Sequence, residues 1–145
     1  MKKTEKEKKM KKINALEYGK KIGEKKDFVC IICPNSCRLS AEVGPNGDVK
    51  INGYACQRGL EYGTQEFLEP KRTLITTMRI KNGVLPVLPV RSDKELPKNK
   101  IFEAIKIINQ YEIEAPIKMG DIIIENLLNL GVNVIASRDM EISKK

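Results

Sequence analysis

Four cysteines fall within 27 residues, spaced Cys30-x2-Cys33-x3-Cys37-x18-Cys56. Three share one eight-residue stretch, and the fourth returns after a predicted hairpin. A lobe this small buries little apolar core, so a metal staple is a physically reasonable substitute. A cubane cluster needs four thiolates arriving from different directions, which a tight loop plus one distant segment can supply. Zinc ribbons tend instead to use two Cys-x2-Cys pairs on separate knuckles. Here Cys56 has no paired cysteine and Cys37 lies outside the first pair. The spacing therefore predicts one metal centre on Cys30, Cys33, Cys37 and Cys56, a [4Fe–4S] cluster, with zinc in a four-cysteine site as the alternative. A dithiol pair at Cys30 and Cys33 would want a thioredoxin-like βαβ setting, which the pattern lacks. Disulfides or plain structural thiols remain the bland reading, opposed by the clustering and by a reducing compartment.

The neighbours of the cysteines suit a negative centre. A [4Fe–4S] core with four thiolates carries about −2. Arg38 follows Cys37 directly, and Arg58 lies two residues after Cys56. Their charges, with backbone amides turned toward sulfur, would favour the reduced state and raise the potential. Either arginine could instead face solvent. Gly59 would let the backbone pass close to the centre, and Pro34 would stiffen the loop. The chain has no His, which removes the commonest general base and the commonest nitrogen ligand. No Gly-x-Gly-x-x-Gly or P-loop pattern is present, so dinucleotide binding by those devices is not expected. The chain is not expected to be catalytic alone.

Charge divides the chain sharply. Of the net +8, residues 1–26 carry +7 from eleven Lys and four Glu, leaving the rest near neutral. This predicts a basic, disordered tail over 1–26, whose other reading is an electrostatic arm for an acidic partner or nucleic acid. Met1–Met10 is charged and no apolar run succeeds it, so neither a secretory signal nor a membrane span is expected, and the chain reads as cytoplasmic. A near-neutral remainder with few aromatics makes nucleic acid an unexpected partner.

The periodicity predicts an α+β fold. A small cysteine-rich β-hairpin metal-binding lobe covers 27–72, and a small α+β lobe covers 73–145. In the first, strands at 27–29, 38–43 and 49–51 surround the turn Gly44-Pro45-Asn46-Gly47, and a short helix covers 59–67. In the second, strands at 74–80 and 84–90 flank a tight turn at Lys81-Asn82-Gly83. Pro86 and Pro89 place the second of these strands at a sheet edge. The best helix is 98–109, with Ile101, Ile105 and Ile108 on one face. A short strand at 112–117 comes next. Asp121 is expected to cap a helix running to Leu130, with Gly131 ending it, and 132–137 forms a last strand.

The run Cys30-x2-Cys33-x3-Cys37, a hairpin, then Cys56-Gln57-Arg58-Gly59 resembles the N-terminal iron–sulfur segment of molybdopterin oxidoreductases such as formate dehydrogenase. The stretch Glu69-Pro70-Lys71-Arg72-Thr73-Leu74-Ile75-Thr76-Thr77 looks like the segment after that motif. In that family the cluster exchanges electrons with the pterin, and Arg58 matches the basic residue between them, where Lys is more usual. The fourth cysteine comes sooner here and no molybdopterin-binding domains are present, so molybdenum is not expected. From about residue 28 onward the chain also resembles a family of small four-cysteine proteins of undefined function. The carriers are Cys-x2-Cys-Pro-x2-Cys, Cys-x-Arg-Gly, Leu88-Pro89-Val90, Gly120-Asp121 and Val134-Ile135-Ala136-Ser137-Arg138. Members are encoded near flavin-dependent glycerol-3-phosphate dehydrogenases, so this resemblance implies partnership with flavoprotein dehydrogenase subunits. The expected function is an iron–sulfur electron-transfer subunit of an anaerobic flavin-dependent oxidoreductase. A zinc-binding structural or adaptor protein, associated with nucleic acid, is the alternative.

Overall fold

A computed structural model describes residues 13–144. The chain divides into two compact units, Met1–Pro70 and Lys71–Lys145. The fold is mixed α+β, with ten strands and two α-helices among the described residues. No helix among them is long and apolar enough to cross a membrane.

In the first unit, β1 (Lys25–Val29), β2 (Arg38–Val43) and β3 (Val49–Asn52) form an antiparallel sheet in that order. Leu39, Ala41 and Val43 alternate along β2 and are all buried, as their period of two predicts. Helix α1 (Gln57–Leu68) closes this face with Phe67, which is fully buried. Gly63 lets the helix lie close, because a Cβ there would come within 3.0 Å of Ile51 and 3.2 Å of Leu39. Phe28 meets Tyr62 edge-on with ring centroids 6.2 Å apart. The helix stops short of Pro70, as the residue before proline disfavours helical backbone.

The expected tail differs from what folds. Residues 1–12 lie outside the described residues. Residues 13–26 are ordered, because one small apolar side chain and a run of backbone pairing anchor them. Ala15 is 0% exposed, and its N–H donates to the Gly47 carbonyl at 2.8 Å. It opens a 3-10 turn, Ala15–Tyr18, that Asn14 caps through the Leu16 N–H. Lys20 lies 4.7 Å over the Phe67 ring and pairs with Glu24 at 3.0 Å. Lys25 and Lys26 begin β1, their backbone in register with Glu42 and Ala41 while their charged ends stay exposed. Charge counting misses this, since lysine is compatible with an edge strand.

The second unit holds β4 (Lys71–Arg72), β5 (Ile75–Lys81), β6 (Val87–Ser92), β7 (Leu96–Pro97), α2 (Ile101–Ile108), β8 (Glu112–Glu114), β9 (Ile122–Leu127) and β10 (Val132–Ala136). Five of these strands make one sheet in the order β8-β5-β6-β10-β9, and β4 pairs with β7 separately. β5 and β8 run parallel, and the other neighbours are antiparallel. Met78, Leu88, Val90 and Val134 from the sheet share a core with Ala104 and Ile108 of α2. Within the predicted helical face, Ile108 is buried while Ile101 and Ile105 are half-buried.

Three expectations fail here for identifiable reasons. The helix predicted from Asp121 to Leu130 is instead the strand β9 and a turn. Ile122, Ile123 and Ile124 are β-branched and fit a pleated surface better than a helix. Ile124 opposite Val134 and Leu127 opposite Val132 supply its buried contacts. Asp121 does not cap a helix; its carboxylate accepts from the Lys118 N–H at 2.9 Å, closing a turn that precedes it. The strand carrying Pro89 is not at an edge, since β6 is central in the sheet. Its pairing with β10 ends at Ala136 opposite Val90, so the missing Pro89 N–H falls beyond the ladder, while its carbonyl accepts from Ser137. Finally, Lys81-Asn82-Gly83 is not a simple tight turn between the two strands. Gly83 bridges to Ile142 and the Val84 N–H donates to the Glu141 carbonyl, which draws the connection out toward the chain end.

Leu88 is 0% exposed at the middle of this core. Leu88→Ala is expected to destabilise the second unit by about 2–5 kcal/mol, the range for deleting a buried leucine side chain. A urea titration monitored by circular dichroism would read this as a lower midpoint. An unchanged midpoint would mean that this core does not hold the unit together.

Candidate metal centre

The base of the site is the β1–β2 pair. Val29 ends β1 opposite Arg38 at the start of β2, so residues 30–37 must reverse the chain. The Cys30 N–H donates to the Cys37 carbonyl at 2.8 Å. That bond extends the ladder by one step and seats the first and third cysteines beside each other. Inside the loop, Ser36 adopts φ +52, and its hydroxyl donates to the Pro34 carbonyl at 3.3 Å. The Asn35 side-chain amide donates to Cys37 Sγ at 3.1 Å.

Cys56 reaches the same corner from the other direction. It is the N-cap of α1, with extended backbone at φ −147 and ψ 167. The first amides of a helix are unpaired and carry its positive end. Cys56 makes no side-chain capping hydrogen bond, yet its thiol is held below the usual pKa. The Gly59 N–H is the largest cause, the Arg58 amide and guanidinium add to it, and desolvation opposes them. Arg58 therefore acts on Cys56, whereas Arg38 opens β2 as an exposed residue.

Gly59 is the meeting point of the two segments. A Cβ at this position would lie 3.4 Å from the Cβ of Tyr54 and 3.9 Å from Cys30 Sγ. The absence of a side chain lets the first turn of α1 rest beside Cys30. Gly53 sets the approach: it has φ +87, and a Cβ there would collide with the Arg38 carbonyl oxygen. Gly53, Tyr54 and Asn35 are not among the residues that the sequence pattern points to. The signals that could have found them are the Asn52-Gly53 turn pair and the position of Asn35 two residues before Cys37.

All four cysteines are free thiols; Cys30 is buried, Cys33 and Cys37 are half-buried, and Cys56 is exposed. Their side chains do not point to one centre as placed. Among the described residues, no group of three or more His, Cys, Asp or Glu is arranged to hold a metal ion. What comes together is the backbone that carries Cys30 and Cys37 and the helix turn that carries Cys56. Ile31 and Ile32, between the first two cysteines, are 70% and 46% exposed.

The family described as Protein of unknown function (DUF1667) matches residues 57–138. The match begins immediately after Cys56, so it contains none of the four cysteines. No curated protein matches the chain. Among solved structures, the NMR structure of Clostridium perfringens protein CPE0013 is similar at 21% identity, covering 52% of this chain and 89% of that chain, with a TM-score of 0.48.

Proposed function

The chain belongs to the DUF1667 family of proteins of unknown function, a membership that assigns no chemistry, and we propose from its own residues that it is an iron–sulfur electron-transfer subunit. The observation that carries this reading is the corner where Cys30, bonded through its N–H to the Cys37 carbonyl, meets the α1 turn that begins at Cys56. Cys30, Cys33, Cys37 and Cys56 would hold a [4Fe–4S] cluster, which supplies one-electron chemistry when bound.

The donor set fits such a group in kind. It is four thiols, none engaged in a disulfide, with no His in the chain to divert a metal. Cys56 is already drawn toward the thiolate by the Gly59 amide and by Arg58. Those same donors would offset the negative charge of a thiolate-ligated centre. Asn35 gives Cys37 a further sulfur-directed donor. The helix end and Arg58 thus orient and compensate, and Gly59 keeps the space beside Cys30 open.

The proposed partners are flavoprotein dehydrogenase subunits in the cytoplasm, of a flavin-dependent oxidoreductase like the glycerol-3-phosphate dehydrogenases. Exposed Ile31 and Ile32 beside the cysteines support a protein contact over this corner. Flavin is the natural neighbour for a one-electron carrier, because it exchanges electrons singly or in pairs.

Anaerobic purification with metal and sulfide analysis tests the reading. The expected protein is brown, holds about four irons and four sulfides per chain, and is bleached by dithionite. A colourless protein with about one tightly held zinc would sink the electron-transfer reading and install a structural zinc site in its place.

A further inference from the structure

The chain contains three Asn-Gly pairs, at 46–47, 52–53 and 82–83. Such a pair can lose ammonia when the glycine nitrogen attacks the asparagine side chain, since glycine brings no Cβ to block the approach. The structure treats the three pairs differently. The Gly47 N–H already donates to the Gly44 carbonyl at 3.0 Å, which ties that nitrogen into the hairpin turn. The Asn82 side chain is held away, donating to Glu114 at 2.8 Å, and its backbone is left-handed at φ +57.

Asn52 has neither restraint. It is exposed at the last position of the edge strand β3, and its side chain has no hydrogen-bond partner among the described residues. Its register partner is Ser40. Along β2, Val43 directs its N–H and carbonyl toward residues 23 and 24, on the β1 side. Alternation then directs Ser40 toward β3, so Asn52 faces β2 and the next nitrogen, on Gly53, faces away from it. Gly53 has φ +87 and donates to no acceptor among the described residues.

We infer that Asn52-Gly53 is a self-modification site, at which the chain deamidates through a succinimide. The deprotonated Gly53 nitrogen bonds to Cγ of Asn52, the bond from Cγ to the side-chain nitrogen breaks, and ammonia leaves with the proton. Water then opens the five-membered ring at either carbonyl, giving aspartate or isoaspartate. Nothing is oxidised or reduced, and water is the sole co-reactant.

The position gives the modification a consequence. Isoaspartate inserts an extra methylene into the main chain four residues before Cys56 and adds a negative charge. The Arg38 carbonyl fills the space beside Gly53, where an added Cβ would strike it, so a main chain lengthened at residue 52 cannot turn along the same path. The segment 54–56 is displaced, and with it the fourth cysteine. The modification is independent of what the cysteines bind, while the loss of metal rests on the cysteines holding a cluster.

The full chain, purified with its metal, is incubated under mildly alkaline conditions and mapped by peptide mass spectrometry, with isoaspartyl methyltransferase labelling. Deamidation led by Asn52, several times faster than at Asn46 and Asn82, is the expected result. Conversion led by either of the other two, or none at Asn52 while a urea-unfolded sample reacts at all three, would overturn the assignment. Metal content measured in parallel should fall with conversion in the wild type and hold in Asn52→Gln. A chain that deamidates at Asn52 but never carried metal would refute the proposed function and leave this site standing.

Discussion

Cys56→Ser protein, purified without oxygen, is expected to hold only a small fraction of the wild-type iron and sulfide and to lose its visible absorption. Serine keeps the size of the side chain and replaces a soft thiolate with a hydroxyl that stays protonated, which removes the ligand without a packing change. Cys56 is exposed and makes no capping hydrogen bond, so the substitution leaves α1 its ordinary contacts, and serine is itself a preferred N-cap. The far-ultraviolet circular dichroism of the metal-free proteins should therefore coincide. The effect is large because Cys56 is the one cysteine that does not come from residues 30–37; without it the loop must close the centre alone. A variant that retains the full complement of iron would remove Cys56 from the ligand set and with it the proposed geometry. Arg58→Gln is the milder companion. It should keep the metal and lower the reduction potential, because a positive charge next to a ligand sulfur favours the reduced state.

Gly53→Ala is expected to destabilise the first unit by about 2–4 kcal/mol and to weaken metal retention together with it. Part of the effect is intrinsic, since an L side chain at positive φ costs about 1–2 kcal/mol. The rest comes from the Arg38 carbonyl oxygen, a backbone atom that cannot swing aside as the end of a side chain would. Either β3 must peel from β2 or the chain must leave for Cys56 in another direction. Gly19→Ala separates the two contributions. Its φ is +74, yet nothing lies within 4 Å of the added Cβ, so only the intrinsic part should appear. Thermal melts of both variants, paired with iron content, decide the matter. Equal melting points for the two would mean that the approach to Arg38 is not a constraint.

Much of the first unit can be read from the chain. Leu39, Ala41 and Val43 alternate, and Gly44-Pro45-Asn46-Gly47 marks a turn, so the hairpin arises from local chemistry alone. The tail is the counterexample within the same unit. Eleven lysines in 26 residues dominate any composition argument, yet Ala15 is buried and Lys25 and Lys26 sit in a strand. Strand pairing uses backbone groups, which composition does not count. The second unit repeats the lesson at Ile122–Leu127. An aspartate before an apolar run and a glycine after it mark a helix and a β-hairpin equally well, and pairing with β10 made the choice.

The sequence by itself determined the donor chemistry: four thiols in one short span, two arginines and a glycine next to them, and no imidazole anywhere. Those are properties of residue type and order, and folding cannot change them. Only the tertiary structure decided which groups act on which. It set the Cys30 N–H against the Cys37 carbonyl and laid Gly59, in the first turn of α1, beside Cys30. It also separated the two arginines, leaving Arg38 exposed on its strand and Arg58 acting on a sulfur. Each of these depends on strand register and on the direction in which a helix begins. Alternation and the turn can set the register of a hairpin such as β2–β3, but which loop a helix end comes to rest beside depends on packing between segments separated in the chain, which no local pattern of residues encodes.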